Sequence, residues 1–146
     1  MKLNMKNWLL LLIALLLPFF IPVTGRAQTT PVSLTLSPAS LTKQVNDTFS
    51  VQVGINAGSY DISGADVLIN FNNSVLEVQN FQPSSTFNDV LINGPPDNTN
   101  GRLRFVVVTT STTPITGSIN LGTIQFKAKA SGTGQVTFGT NEIVAS

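Results

Sequence analysis

Apolar and polar residues alternate along most of the chain after residue 31. A period of two is typical of β-strands with one buried face, and no window of 11 or more residues beyond the first 27 has helical spacing. The pattern therefore predicts seven or more short strands, the last at Asn141–Ala145. The apolar members of the other series are Val32, Leu34, Leu36; Phe49, Val51, Val53, Ile55; Ala65, Val67, Ile69, Phe71; Val75, Leu76, Val78, Phe81; Leu103, Phe105, Val107; Ile124, Phe126, Ala128, Ala130; and Val136, Phe138.

Turn-forming residues separate these series. Asn46-Asp47 precedes one strand, Asn100-Gly101 is a strong tight-turn dipeptide, and Ser131–Gly134 links two strands near the end. No internal repeat or low-complexity linker interrupts the pattern. Short strands joined by such turns predict one all-β domain, a sandwich or jelly roll that is immunoglobulin-like in outline.

The N-terminus has a different composition, which changes the domain assignment. Lys2 and Lys6 precede an almost wholly apolar stretch at Leu9–Phe20, and Gly25-Arg26-Ala27 places small residues where signal peptidase reads them. This order of features is that of a secretory signal peptide. We predict a signal peptide at 1–27, cleavage after Ala27, and a secreted or cell-surface domain at 28–146.

An uncleaved membrane anchor is the alternative for this segment. Its apolar run, Trp8–Val23, has 16 residues and contains Pro18 and Pro22, whereas a spanning helix needs about 20. We therefore expect no membrane span after cleavage. In both cases the protein leaves the cytoplasm.

Charge and composition exclude several classes of function. Loss of Lys2, Lys6 and Arg26 with the signal peptide leaves five basic and seven acidic residues, a net charge of −2. Such a chain lacks the basic surface that nucleic-acid binding requires. The sequence contains no cysteine and no histidine, which removes disulfides, thiolate nucleophiles, imidazole bases and the usual zinc ligands. We expect no cofactor.

The acidic residues do not form a recognisable catalytic or metal motif. Asp66 and Glu77 are the only pair that is close in sequence and lies on predicted strands, and a glycosidase needs two carboxylates that converge across a cleft. Asp97–Gly101 has calcium-type oxygen ligands, but its glycine comes one place early and no glutamate closes the loop. A hairpin turn explains the segment better, and we expect no enzymatic activity.

Two strands have apolar residues on the side that should face water. If Ala65, Val67 and Ile69 point into the core, the residues between and beside them point outward. In the same way, an inward-facing Phe105 requires its neighbours Arg104 and Val106 to point outward. A covering element or simple β-propensity would explain apolar outward residues, but on adjacent strands they would form a protein-binding patch. The predicted partner-binding residues are Asp66, Leu68, Asn70, Arg104, Val106 and Val108.

Direct carbohydrate binding has little support in the composition. Outside the signal peptide, Tyr60 is the only aromatic residue that is not phenylalanine, and tryptophan is absent there. Planar polysaccharide-binding surfaces usually stack sugars on Trp or Tyr.

Four segments, in order, resemble motifs of cohesin modules. Val45–Val53 is similar to their opening "vGdtftV.V" strand, and Ser63–Val78 resembles the stretch in which a V-L-E-V strand follows a turn after an aromatic residue. Asn98–Val108 looks like their "tnG.i.f" hairpin, and Leu121–Ala130 is similar to their "LatItFkaka" strand. The likeness extends over about Val32–Val144, nearly all of the predicted mature chain.

The resemblance implies a jelly-roll sandwich of about nine strands that docks a dockerin-bearing partner, with calcium carried by the partner and polysaccharide contacted only indirectly. In well-studied cohesins the dockerin contacts lie on the two strands that correspond to the patch above. Asp66 matches an aspartate that accepts hydrogen bonds from dockerin. The chain departs from the pattern at Gly64, where Asn is frequent, at Arg104, which replaces an aliphatic contact, at Thr109, where a carboxylate is usual, and at Phe71-Asn72-Asn73, which lacks the usual Asp-Pro.

The leading hypothesis is therefore a secreted binding module of a polysaccharide-degrading surface assembly. The alternatives are a structural spacer domain of a larger cell-surface protein and a carbohydrate-binding module.

Overall fold

The computed structural model describes residues 31–140 and 142–145, the last four by their backbone alone. The predicted signal peptide and its cleavage site lie outside these residues. The described part of the chain contains no helix that is long and apolar enough to cross a membrane. Its elements are nine strands: β1 (Ser33–Ser37), β2 (Thr48–Asn56), β3 (Ile62–Phe71), β4 (Leu76–Pro83), β5 (Asp89–Asn93), β6 (Arg102–Val108), β7 (Ser118–Ala128), β8 (Val136–Phe138) and β9 (Glu142–Ala145).

The strands form two sheets in which every pair is antiparallel. The four-stranded sheet has the order β1-β2-β7-β4, and the five-stranded sheet has the order β5-β6-β3-β8, with β9 also on β3. β8 pairs with Ile69–Phe71, and β9 pairs with the first half of β3. The predicted all-β sandwich is confirmed.

The core lies between the sheets and contains most of the residues that the alternation predicts to face inward. It also contains residues outside the predicted series, among them Ile62, Phe87, Ile119 and Leu121, whereas the predicted apolar residues of β1 and β8 are only half-buried. Among the described residues, no polar or charged residue is buried as a whole. Phe71 of one sheet meets Phe126 of the other edge to face, with ring centroids 5.8 Å apart. Phe81 of β4 stacks on Phe105 of β6 at 3.8 Å. These aromatic pairs join the two layers.

Three details differ from the sequence-based prediction. β5 was not predicted, β7 begins six residues before Ile124, and Ala130 is exposed beyond the end of β7. The physical reason for the first two is a break in alternation. The β5–β6 register shifts between Val90 and Ile92, and the β2–β7 register shifts between Val53 and Gly54, so a strict period of two fails at these bulges.

The loop between β5 and β6 is fastened to β4 and to the turn before it by asparagine side chains. Asn98 Oδ1 accepts a hydrogen bond from the Val78 amide (2.8 Å), and Asn98 Nδ2 donates to the Val78 carbonyl (3.0 Å). Asn73 Nδ2 donates to the Thr99 carbonyl at 2.5 Å. β4 is the outer strand of its sheet, so Asn98 provides hydrogen-bond partners for Val78 on the side away from β7. This clamp fixes the start of β6.

The turn at Asp97 is the predicted hairpin turn. Asp97 and Arg102 exchange backbone hydrogen bonds of 2.8 and 3.0 Å. The Asp97 carboxylate accepts hydrogen bonds from the side chain and the backbone amide of Asn100 at 2.7 and 3.0 Å. These bonds, the side-chain one first, lower the pKa of Asp97, because they stabilise its charged form.

Candidate functional site

β3 and β6 are neighbours, and their register brings the predicted binding residues together. Asp66 lies opposite Val106, Leu68 opposite Arg104, and Gly64 opposite Val108. The residues between them, such as Val67 and Phe105, are fully buried, so the predicted set points away from the core. We call this outward surface, formed by Asp66, Leu68, Asn70, Arg104, Val106 and Val108, the β3–β6 face.

A bidentate ion pair lies in the middle of the β3–β6 face. Arg104 Nε donates to Asp66 Oδ1 at 2.9 Å, and Arg104 Nη2 donates to Oδ2 at 2.5 Å. The Arg104 side chain is 55% exposed and that of Asp66 is 27% exposed. The hydrogen bond from Arg104, helped by its charge and opposed by partial burial, lowers the pKa of Asp66. The guanidinium is therefore held in one orientation by a charged carboxylate.

Gly64 allows Val108 to lie flat against β3. A Cβ atom on Gly64 would lie 2.9 Å from Val108 Cγ1 and 3.0 Å from the Val107 carbonyl oxygen, closer than ordinary contact. The valine thus occupies the space that a side chain at position 64 would need. This explains physically why the chain has glycine where cohesins often have asparagine.

The β8–β9 junction borders the opposite side of the face. The Gly139 amide donates to the Leu68 carbonyl at 2.7 Å. A Cβ atom on Gly139 would lie 2.8 Å from Leu68 Cδ2 and 3.0 Å from Asn70 Nδ2. Leu68 and Asn70 are consequently half-buried, with the backbone of residue 139 packed closely beside them.

β5 adds apolar residues that sequence reasoning missed. Ile92 lies opposite Val106 and is 38% exposed, while Leu91, the extra residue of the bulge, is 62% exposed. The signal in the sequence is the uninterrupted apolar run Val90-Leu91-Ile92. Because the run does not alternate with polar residues, a period of two does not identify it as a strand. Together with Val106 and Val108, these side chains widen the apolar part of the surface.

The carboxylates considered for catalysis are not brought together. Asp66 belongs to the five-stranded sheet, whereas Glu77 is on β4 of the other sheet, opposite Lys127. Among the described residues, no three acidic, histidine or cysteine side chains are grouped in a way that could hold a metal ion. Thr109, another of the departures from the cohesin pattern, lies just beyond β6 and accepts a hydrogen bond from the Ser111 amide through Oγ1.

The sequence profile of the cohesin domain matches residues 34–146. This chain belongs to the cohesin domain family. The resemblance inferred from its motifs is confirmed, and a cohesin is a non-catalytic, protein-binding module found in extracellular cellulosome scaffolds.

Solved cohesin structures share the fold. The sixth cohesin of scaffoldin B from Acetivibrio cellulolyticus, in complex with a mutant Cel5 dockerin, is 20% identical with a TM-score of 0.63, covering 80% of this chain and 87% of that one. The second type II cohesin of the ScaA scaffoldin from the same organism is 18% identical (TM-score 0.61, 77% and 73%). The cohesin of the Clostridium thermocellum OlpA–Doc918 complex is 10% identical (TM-score 0.63, 80% and 87%). No curated protein sequence matches the chain significantly.

Proposed function

We propose that this cohesin domain docks a dockerin-bearing protein through the β3–β6 face, as a secreted module of a polysaccharide-degrading surface assembly. The observation that carries the proposal is the register that sets Asp66 opposite Val106 and Leu68 opposite Arg104. It gathers apolar side chains and one ion pair on a single continuous sheet surface. The solved relatives crystallised with a mutant Cel5 dockerin and with Doc918 support the class of partner.

The apolar part of the face supplies the contact area. Val106 and Val108 are half-buried, and Ile92 lies beside Val106 on β5. Because these side chains lie on paired strands whose backbone is already ordered, a partner would cover them at little further cost in backbone entropy. An apolar centre with charged groups among it matches the usual anatomy of a protein interface.

The ion pair sets a requirement on the partner. A guanidinium has five N–H donors, and Arg104 uses Nε–H and one N–H of Nη2 for Asp66. Three donors remain, and covering the face would remove their water. A buried donor without an acceptor costs about 1–3 kcal/mol. The partner therefore offers carbonyl or carboxylate oxygens opposite Arg104. In other cohesins the corresponding contact residue is aliphatic and sets no such requirement.

Export is the second part of the proposal. The predicted signal peptide at 1–27 supports secretion, and mass spectrometry of the exported protein tests it. A mature N-terminus at Gln28 is the expected result. Retention of residues 1–27 in a membrane fraction would instead identify the segment as an anchor.

A binding assay with matched variants tests the docking face. Dockerin modules from the source genome are immobilised in calcium, and the domain is applied as the parent, as Val106→Asp and as Val32→Asp. Val32 is also a half-buried valine, but it precedes β1 in the other sheet. Val106→Asp places a carboxylate opposite Asp66, so we expect at least a 100-fold loss of affinity, whereas Val32→Asp binds like the parent. Thermal unfolding of both variants checks that each is folded.

Three outcomes separate the hypotheses. Binding that survives Val106→Asp refutes this face as the docking surface. Failure of the parent to bind any dockerin favours the spacer hypothesis. Retention of the parent on insoluble polysaccharide without a dockerin partner would favour a carbohydrate-binding module.

A further inference from the structure

The β3–β6 face is basic at the end where β6 begins. Arg104 belongs to the face, and Arg102, the preceding outward position of β6, extends it; both are exposed. Their register partners on β3, Leu68 and Asn70, are uncharged. Alternate residues of a strand point to the same side of the sheet and lie about 7 Å apart, so the two guanidinium groups share one surface.

The acidic residues lie at the other end of the same side of the sheet. Asp66 is opposite Val106, and Asp89, the first residue of β5, is opposite Val108. Because opposite residues of an antiparallel pair lie on one face, Asp89 shares the outward side with Val108. β9 adds Glu142 at the position opposite Asp66. The described strands contain no basic residue in this half of the sheet.

The two ends of the surface are far enough apart to act independently. Arg102 and Val108, the partner of Asp89, are the first and last residues of β6. A strand rises about 3.3 Å per residue, which separates the two ends by roughly 20 Å. At physiological ionic strength, charges in water are largely screened beyond about 8 Å. Arg102 and Asp89 therefore do not neutralise each other.

Neither of these two charges has an ion-pair partner within the domain. The pair in the middle of the face is the only salt bridge among the described residues. Asp97 is the backbone partner of Arg102, but its carboxylate bonds to the side chain and amide of Asn100. Arg102 and Asp89 are both exposed, so both charges are open to a partner.

The apolar part of the surface brings a partner to both ends. Val106 and Ile92 lie opposite each other between the two charged ends. A partner that covers these side chains approaches the arginines on one side and Asp89 on the other. Like charges brought together at an interface cost several kcal/mol, whereas opposite charges fix the register of the two proteins.

We infer that the docking partner carries an acidic group that meets Arg102 and Arg104 and a basic group that meets Asp89, roughly 20 Å away, and that it therefore binds in a single direction along β6. The inference rests on the proposed docking function and adds the partner's charge pattern and orientation. Carboxylates suit the basic end, because a guanidinium binds them through two parallel hydrogen bonds. A partner turned end for end would meet like charges at both ends.

A pair of charge reversals tests the direction at constant net charge. The probe is the dockerin module that binds the parent most tightly in calcium. Arg102→Glu and Asp89→Arg should each weaken binding about tenfold, mainly through slower association, because such charges steer the encounter. The double variant keeps the net charge of the parent but inverts the polarity. It should bind about 100-fold more weakly than the parent, because the effects of distant sites add. Recovery of the parental affinity in the double variant would overturn the inference.

Glu77 and Lys127 provide the matched control. They lie opposite each other in the four-stranded sheet, so the double variant Glu77→Lys, Lys127→Glu also conserves the net charge. It should bind the probe like the parent. Thermal unfolding of all variants checks that each is folded. An equal loss of affinity in the two double variants would refute a local charge pattern on the docking side.

Spin labels at the two ends measure the direction without reference to affinity. The chain has no cysteine, so Thr137→Cys and Asn88→Cys each give one attachment site. Thr137 is opposite Asn70 at the basic end, and Asn88 directly precedes Asp89. In NMR spectra of the isotope-labelled dockerin module, the first label should broaden amides near acidic residues and the second a separate set near basic residues. Broadening of the same amides by both labels would show two directions of binding and refute the inference.

Failure of the docking proposal gives a different result from failure of this inference. If no dockerin module binds the parent, or if Val106→Asp leaves binding intact, the docking face is wrong and the inference falls with it. If Val106→Asp abolishes binding but the double reversal at Arg102 and Asp89 does not weaken it, the docking face stands. In that case the charge pattern and the single direction are wrong.

Discussion

Gly122 provides the sharpest test of how the two sheets are packed. It lies on β7, where a Cβ atom would come within 2.5 Å of Phe81 Cζ and 2.6 Å of the Gln82 carbonyl oxygen. Phe81 in turn stacks on Phe105 with an interplanar angle of 13°. The phenylalanine ring therefore fills the space next to the glycine and contacts the opposite sheet on its other side.

The expected effect of Gly122→Ala follows from these distances. Carbon atoms in contact are about 3.5–4.0 Å apart, so the new methyl group would overlap the ring by roughly 1 Å. The ring has no room to retreat, because Phe105 is 0% exposed and already stacked on it, and the Gln82 oxygen belongs to the backbone. Overpacking of this kind costs about 1–3 kcal/mol, and we expect a loss in free energy of unfolding of about 2–3 kcal/mol.

Urea denaturation followed by far-UV circular dichroism measures this loss. Fluorescence is a poor probe here, since the predicted mature chain has no tryptophan and Tyr60 is 44% exposed. Gly94→Ala is the control, because no atom lies within 4 Å of a Cβ at that position. It should stay within about 0.5 kcal/mol of the parent.

A double-mutant cycle with Phe81→Leu tests the cause. Leucine lacks the ring atoms that the methyl group would meet, so the cost of Gly122→Ala should fall by about 1 kcal/mol or more in that background. The reasoning is refuted if Gly122→Ala costs less than about 0.5 kcal/mol, or if its cost is the same beside phenylalanine and leucine.

Three further predictions concern the face and its support. In the folded state the pKa of Asp66 is lowered below its ordinary value of 3.8 by its hydrogen bond with Arg104. This pairing therefore stabilises the domain above pH 3.8, and the stabilisation is lost as the pH falls through the folded pKa. Arg104→Ala should be less stable than the parent at pH 7, and urea titrations at each pH should show the gap closing below pH 3.8. Asn98→Ala removes both hydrogen bonds to Val78 and should cost about 1–3 kcal/mol, with faster amide exchange of Val78; unchanged exchange would rule out the clamp. Gly64→Asn should displace Val108 and lower the thermal midpoint by several degrees, whereas an unchanged midpoint and unchanged Val108 methyl shifts in NMR would show that the space is not limiting.

The sequence predicted the orientation of β3 and β6 well, because both strands keep a strict period of two. Val67 and Phe105 are buried and Val106 is not, as alternation requires. That β3 and β6 are neighbours was a condition of the hypothesis, and only the structure supplies it. The binding role of the face remains a prediction.

The rest could not be predicted from local patterns. β5 and the first half of β7 contain or adjoin register shifts, and each shift moves the inward position by one residue. The Asp66–Arg104 ion pair joins residues that are not directly opposite, since Asp66 faces Val106, so it depends on long side chains reaching diagonally. At Gly64 and Gly139, residues distant in sequence leave no room for a side chain. A single sequence does not reveal such contacts.

The pairing of β2 with β7 has a consequence for how the protein is made. These strands join residues 62 to 79 positions apart, from Asn56 with Ser118 to Thr48 with Lys127. β4 also depends on β7, so a nascent chain that ends before residue 118 has no centre for this sheet. Sheets built from such distant segments fold slowly, in milliseconds to seconds. Synthesis of most of the chain, through β7, therefore precedes folding of this sheet.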